Sequence, residues 1–271
     1  VPVFKEQLLQ ESRLLTVLYD NLPESIKTSS LYASVEAYLE KYVSFNSITT
    51  EKAIEFYTNY IALYNKHCRQ FVKTGKYPLA AGEGYFQIGR EEYDVVLLFS
   101  ILFTCHRFRI MQLLANADTA GKALFIGLGS GLEIFLVKNR HTENHGYDLS
   151  VNPFLYSEFP EIQLKTELYT GQYTDYFDAI YLIELLEHLE EPYDLLATCY
   201  KSLQKNGKIL LTTATDIPQF DHFYNFPLDH AEFDRTLEKM GFRIITKEKI
   251  PHHYLSMNLA SANHFYQIEK I

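Results

Sequence analysis

The 271-residue sequence has no tryptophan, only three cysteines, nine prolines and twelve glycines. So little glycine and proline excludes a collagen-like or low-complexity chain. The three cysteines, Cys68, Cys105 and Cys199, stand far apart, form no CxxC pair and cannot all pair with one another. They read as buried thiols of a reducing compartment, so a cytoplasmic location is expected and a disulfide scaffold is not. Positive charge is also short: 25 Lys and Arg against 34 Asp and Glu give a net charge of −9. A phosphate backbone would meet net repulsion, which disfavours nucleic acid as a partner. Long apolar runs are missing too. The longest, 95–105, is closed by Asp94 and by His106-Arg107 and falls short of the roughly 20 residues that span a bilayer, so it reads as a buried helix. Because the sequence begins at Val1, a processed leading segment would leave no trace in it.

Aromatic residues are abundant, with 21 Tyr and 19 Phe in a chain that is 47% hydrophobic and 22% charged. The composition is that of a globular protein, and the length suits one large domain or a catalytic domain with a smaller addition. The character of the chain changes near residue 120. Before Asn116 apolar residues recur at helix spacing: Phe4, Leu8, Leu15 and Leu18 predict a first helix, and Leu31, Val35, Tyr38 and Tyr42 a second after Pro23. Thr49 and Thr50 are good N-caps for a third that runs to Gly75. Residues 76–89, with Pro78, Gly82, Gly84 and Gly89, predict a loop, and a fourth helix is expected from Arg90 to about Asn116. From Lys122 onward short apolar runs alternate with helices. Strands are expected at 123–126, 146–148, 162–165, 179–183 and 208–213, which makes a doubly wound α/β sheet. Segments 242–248 and 264–268 read as an antiparallel hairpin closing its edge.

The strongest local signal is Phe125-Ile126-Gly127-Leu128-Gly129-Ser130-Gly131-Leu132-Glu133, a strand running into a glycine turn and a helix. Glycines allow a sharp turn and close approach of a ligand, and the helix N-terminus favours a polar or anionic group; a tight turn with no ligand uses the same residues. The spacing G-x-G-x-G departs from the G-x-G-x-x-G of nicotinamide-binding turns and argues against a dinucleotide oxidoreductase. Asp148, at the end of the second strand, can accept both hydroxyls of a ribose, or else cap the segment beginning at Asn152. Glu167, past the third strand, is the analogous candidate for an adenine amino group, with a solvated surface carboxylate as the alternative.

Phe177-Asp178-Ala179-Ile180-Tyr181-Leu182-Ile183-Glu184-Leu185-Leu186-Glu187-His188, followed by Asn206-Gly207-Lys208-Ile209-Leu210-Leu211, resembles the region after the glycine motif in class I S-adenosylmethionine-dependent methyltransferases. The ubiquinone-type O-methyltransferases and their small-molecule relatives are the nearest in flavour. The resemblance covers about residues 105–271, including Asp229-His230, Met240-Gly241-Phe242 and Asn263-His264-Phe265-Tyr266, and nothing similar is recognised in 1–90. It implies a Rossmann-like seven-stranded methyltransferase domain over 91–271, preceded by a helical lid or substrate-selecting region over 1–90. It implies that Gly127, Gly129 and Gly131 surround the methionine and ribose of the cofactor, that Asp148 holds the ribose, and that Glu184 borders the methionine. Arg107 falls where the ubiquinone-type enzymes carry an arginine that meets the cofactor carboxylate, and a guanidinium suits that task; a structural ion pair is the alternative. One departure stands out: the family's acidic residue two positions before the first glycine is Phe125 here, with Glu133 near enough in sequence to substitute.

A second constellation is Glu184, Glu187 and His188, with His222 and His230 downstream. Residues at i and i+3 or i+4 share a helix face, so the first three can converge. The pattern resembles the metal site of small-RNA 2′-O-methyltransferases, but Glu-x-x-Glu-His also occurs in metal-free members of the superfamily. Phe220, Phe223, Tyr224 and Phe226 beside the distal histidines predict an apolar acceptor pocket, so no metal is expected. His222, His252, His253 and His264 read as surface or core residues, while His188 and His230 are the candidate general bases because they sit near the carboxyl ends of strands. Tyr85, Phe86 and the loop 80–89 are expected to cover the acceptor. The expected function is methyl transfer from S-adenosylmethionine to an oxygen, nitrogen or carbon of a small acceptor, by a protein with no membrane span and compatible with a homo-oligomer. A metal-assisted RNA 2′-O-methyltransferase and a non-catalytic binding module of the same fold are the alternatives.

Overall fold

Helix boundaries follow the capping residues. The computed structural model describes residues 3–77, 88–219, 222, 224–252 and 259–271. The single first helix expected from Phe4 is two, α1 (Phe4–Glu11) and α2 (Arg13–Asp20), because the Ser12 hydroxyl accepts from Leu15 N at 3.4 Å and starts a new helix. After the short α3 (Glu24–Lys27), Ser29 caps α4 (Ser30–Phe45). Helix α5 (Thr50–Thr74) starts at the Thr49 cap and stops at Gly75, whose φ of 67° lies in the left-handed region. The expected loop and lid residues Pro78, Gly82, Gly84, Tyr85 and Phe86 lie outside the described residues.

The fourth predicted helix is also two, α6 (Arg90–Phe103) and α7 (Cys105–Asn116). Thr104 between them is extended (φ −132°, ψ 136°), and its hydroxyl bonds back to Ser100 O at 2.6 Å. A β-branched residue whose hydroxyl takes a helix carbonyl competes with helix continuation. The apolar run is the buried body of α6, and no helix among the described residues is long and apolar enough to cross a membrane.

Seven strands form one sheet in the order β3-β2-β1-β4-β5-β7-β6: β1 (Gly121–Ile126), β2 (His141–Asp148), β3 (Gln163–Thr166), β4 (Phe177–Leu182), β5 (Leu203–Thr215), β6 (Phe242–Pro251) and β7 (Ala262–Lys270). The first five are parallel and joined by crossovers that carry α8 (Leu132–Val137), α9 (Pro153–Glu158) and α10 (Pro192–Ser202); α11 (His230–Lys239) leads into β6. The predicted hairpin forms, but β7 inserts beside β5 and leaves β6 at the edge. Chain order reverses between β1 and β4, so the carboxyl ends of these strands border the crevice where such sheets bind ligands.

Alternation along β1 divides its side chains between two cores. Ala123 and Phe125 face a cluster that includes Leu8, Leu15, Tyr38, Tyr57 and Phe99, whereas Leu124 and Ile126 face one with Leu196, Phe233 and Tyr266. Helices α1, α2, α4, α5 and α6 therefore share a continuous apolar core with one face of the sheet.

Candidate active site

The turn after β1 is built as its glycines require. Gly127, Gly129 and Gly131 have φ values of 75°, 48° and 78°. A Cβ on Gly131 would lie 2.9 Å from Tyr38 Oη, the hydroxyl that donates to Ser130 O at 2.7 Å. At the end of β2, Asp148 Oδ2 accepts from Leu128 N at 2.7 Å and Oδ1 from Ser150 N at 2.9 Å. Asp148 thus braces the glycine turn, while the cap of α9 is Asn152 itself, accepting from Phe154 N at 2.9 Å. Arg90, which the sequence reading did not single out, lies over the same turn and donates to Gly129 O and Ser150 O. Glu167 is exposed and stands 3.7 Å from Lys165.

Phe125, in the position where an acid was expected, stacks on Tyr181 with ring centroids 4.6 Å apart. The Tyr181 hydroxyl bonds Thr119 Oγ1 and His141 Nε2, each at 2.9 Å, so an aromatic pair with its polar end satisfied fills that place. A small cleft beside it is lined by Phe125, Gly127, Leu128, Glu133 and Tyr181. Burial raises the Glu133 pKa, the Arg107 charge opposes that shift, and Glu184 adds to it. Glu133 therefore belongs to one electrostatic group with Arg107 and Glu184 at the mouth of the glycine turn.

Arg107 and Glu184 meet: Nη1 lies 3.0 Å from Oε2. The same oxygen accepts from Asn263 Nδ2 at 2.5 Å, and Glu184 N donates to Thr212 Oγ1 at 2.8 Å. Glu184 itself has a φ of 50°, uncommon for a residue with a side chain. Its second oxygen, Oε1, is buried without a hydrogen-bond partner among the described residues. Such an orphaned acceptor fits an ammonium group of a bound ligand, and the left-handed glycines fit the close approach of its backbone-facing part.

Next to this pair opens a cavity whose lining includes both residues. Tyr57, Tyr60 and Tyr64 line it from one face of α5, with Tyr93 from α6; His106 and Arg107 open α7, and His188, His222, His252 and Asn263 close the sheet side. Glu187, His188 and His222 are buried, and one ligand atom from each lies within 4.8 Å of the others. Of the predicted constellation, Glu184 turns to Arg107 instead, and His230 stands elsewhere. His230 packs on β7, stacked on His264 at 3.7 Å with Nδ1 2.8 Å from Tyr266 Oη, and does not line the cavity. Burial lowers its pKa. The predicted aromatic wall is also different. Tyr224 bonds to Leu189 O and Phe226 packs on Phe233, away from the cavity, while Phe220, Phe223 and His253 lie outside the described residues. The wall is made by tyrosines of α5 and α6.

His106, which the sequence did not mark, and His252, read from the sequence as a surface or core residue but found in the cavity lining, stack at 3.6 Å, and His252 Nε2 lies 2.5 Å from Asn263 Oδ1. Because Asn263 donates to Glu184 through Nδ2, its oxygen is the acceptor toward His252, whose Nε2 then carries the proton. His106 beside Arg107 was the one local sign available in the sequence, since both fall at the start of α7.

A parallel sheet of this order, with a glycine turn after β1 and an acid after β2, defines a Rossmann-like α/β protein. The chain belongs to the methyltransferase-domain family whose model, Methyltransf_23, matches residues 107–256, more than half of its length. It is 27% identical over 120 residues to a ubiquinone biosynthesis O-methyltransferase of Histophilus somni (strain 2336), covering 40% of this chain and 50% of that protein. A ubiquinone biosynthesis O-methyltransferase of Pseudomonas fluorescens (strain SBW25) is 22% identical over 153 residues, covering 53% and 65%. The chain thus spans about half the length of the first of these relatives, and somewhat more of the second. Among solved structures, the 1,6-didemethyltoxoflavin-N1-methyltransferase of Burkholderia thailandensis, with bound 1,6-didemethyltoxoflavin and S-adenosylhomocysteine, superposes with a TM-score of 0.52. Its identity is 16%, and 71% of this chain and 92% of that one are covered, which shows the shared fold.

Proposed function

We propose that this protein transfers a methyl group from S-adenosylmethionine to an oxygen, nitrogen or carbon of a small acceptor held in the histidine- and tyrosine-lined cavity. The observation that carries the reading is that the Arg107–Glu184 pair lines this cavity while the next residue, Leu185, packs against Gly127 of the glycine turn, so both ends of such a reaction meet at the end of β4. S-adenosylmethionine, when bound, supplies an activated sulfonium methyl. Gly127, Gly129 and Gly131 let the backbone come close to it, and Asp148 takes the ribose hydroxyls. Arg107 takes the carboxylate with a guanidinium, and the orphaned Glu184 oxygen takes the ammonium. Glu133 adds negative potential where Phe125 has removed it. His188, inside the cavity, is the group that takes the acceptor proton; His230 is outside it and drops from that role. Tyr57, Tyr60, Tyr64 and Tyr93 exclude water and seat the acceptor. With a net charge of −9 the chain suits nucleic acid poorly.

Calorimetric titration with S-adenosylhomocysteine tests this reading, with saturable one-to-one binding expected. No binding at millimolar ligand would leave a methyltransferase fold used for another purpose. The convergence of Glu187, His188 and His222 favours a second reading of the proton-removal step, in which a first-row divalent ion held by this two-histidine, one-carboxylate set activates the acceptor. Loss of turnover in chelator, restored by added ion, would select it.

A further inference from the structure

The first side chain of α6 belongs to a network that ties the N-terminal helices to the glycine turn. The Arg90 guanidinium donates to Gly129 O, in the glycine turn, and to Ser150 O, in the turn after β2, with Nη1 3.5 Å from Asp148 Oδ1. Behind it, Nε lies 2.9 Å from Asp94 Oδ1 one helical turn along, and Asp94 is completely buried. Asp94 Oδ2 accepts from Tyr42 Oη at 2.9 Å, and that hydroxyl accepts from Asn152 Nδ2 at 2.8 Å. A single cation thus joins the two turns that flank Asp148, and its counter-ion is anchored to α4 and to the cap of α9. All of Arg90, Asp94 and Tyr42 precede residue 107, where the match to the family begins.

Only a planar fork can do this. Two carbonyls and two carboxylates lie around one guanidinium, and a lysine ammonium, a point donor on a flexible stem, cannot span them together. Each Asp148 oxygen already accepts one backbone N–H, from Leu128 and Ser150, which sets the carboxylate plane and leaves acceptor capacity facing outward. Arg90 bonds a carbonyl in each of the two turns that carry these N–H groups, Gly129 O in one and Ser150 O in the other, and so acts on the carboxylate through them.

We propose that Arg90 is a positioning residue for the ribose end of the cofactor site, acting through Asp148 and the glycine turn, and that α4 and α6 are thereby structural parts of that site. The proposal rests on the S-adenosylmethionine reading above. Its consequence is that the N-terminal helices do more than cover an acceptor: removing their fork leaves Asp148 in place but no longer pre-oriented for a diol.

The test is calorimetric titration of the parent, Arg90→Lys and Tyr42→Phe with S-adenosylhomocysteine and with its 2′-deoxy analogue, alongside thermal melts. In the parent, removal of the ligand hydroxyl is expected to weaken binding about tenfold. Arg90→Lys is expected to weaken S-adenosylhomocysteine by a similar factor while changing the 2′-deoxy analogue by less than about threefold, because the two losses concern the same contact. Tyr42→Phe, which keeps the charge pair and removes the hydroxyl's bonds to Asp94 and from Asn152 behind it, is expected to show the same pattern with smaller size. Equal loss for both ligands in Arg90→Lys would make the residue merely structural, and unchanged affinity for both would remove it from the site; either result overturns the proposal. Should Arg90→Lys fail to fold, Tyr42→Phe decides by the same pattern, equal or no loss again overturning. Failure of the parent to bind either ligand would sink the cofactor reading itself, and is told apart because it appears before any substitution.

Discussion

Arg107 and Glu184 face each other at 3.0 Å in the lining of the cavity. The pair is one that a zwitterionic amino-acid group could join, carboxylate to the guanidinium and ammonium to the remaining Glu184 oxygen. Arg107→Lys keeps the charge but loses the two-pronged geometry, so affinity for S-adenosylhomocysteine is expected to fall by about 1.5–3 kcal/mol. Affinity for 5′-methylthioadenosine, which lacks the amino-acid group, should be unchanged. Calorimetry with both ligands checks this, and a loss shared equally by the two would make Arg107 a structural partner of Glu184.

Asp148 braces the glycine turn and, in the proposed reading, also holds the ribose, and its replacement should reveal both. Asp148→Ala removes the acceptor of Leu128 N and Ser150 N together with the ribose contact. S-adenosylhomocysteine is expected to bind more weakly by about 1.5–3 kcal/mol, with a lowered Tm from the unbraced turn. Asp148→Asn, which still offers one oxygen to the turn, should regain part of the Tm but little of the affinity. Wild-type affinity in both variants would exclude Asp148 from ligand binding.

These sites differ in how far the sequence announced them. Helix α5 was legible at both ends because a Thr N-cap and a left-handed glycine act locally. The glycine turn and Asp148 were legible for the same reason: strand, turn and acid are each a local pattern. The break at Thr104 was not, since apolar periodicity runs through it and only one hydroxyl turning to Ser100 O interrupts it. Alternation predicted that β6 and β7 pair, but it carries no sheet order, so the insertion of β7 beside β5 could not be read. Arg90 escaped notice because Gly129 O, Ser150 O and Asp148 lie far along the chain, while its one local partner, Asp94 at i+4, has the spacing of an ordinary helix ion pair. The choice between His222 and His230 as the distal histidine also needed tertiary structure: one falls in the cavity and the other behind β7.

The buried Glu187, His188 and His222 can serve either as a hydrogen-bonded base cluster or as ligands. Turnover is expected to survive excess chelator, since the His188 imidazole, beside the buried Glu187 carboxylate, can take the acceptor proton without an ion. Elemental analysis paired with the chelator assay measures this. His188→Asn should lower kcat by about 10²–10⁴-fold while S-adenosylhomocysteine affinity holds. Stoichiometric metal that disappears in His222→Ala, with turnover lost in chelator, would instead make the three residues ligands.

Acid sensitivity of the fold should trace to β7. Burial, with the charges of His230, Lys249 and Lys247 acting in the same sense, pushes the His264 pKa down to about 3. The folded protein therefore keeps this imidazole neutral over a range in which the unfolded chain, near the ordinary value of about 6.5, takes up a proton. Stability contributed by His264 is thus complete above the unfolded value and is lost as pH falls through 6.5 toward 3. Between pH 7 and pH 5 the loss from this one residue is about 2 kcal/mol. His230, whose pKa burial also lowers, adds to the slope in the same direction. His264→Phe keeps a ring to stack on His230 and removes the titration, so urea unfolding at the two pH values should show a smaller difference by about that amount. An undiminished difference in the variant would mean that the acid response arises elsewhere.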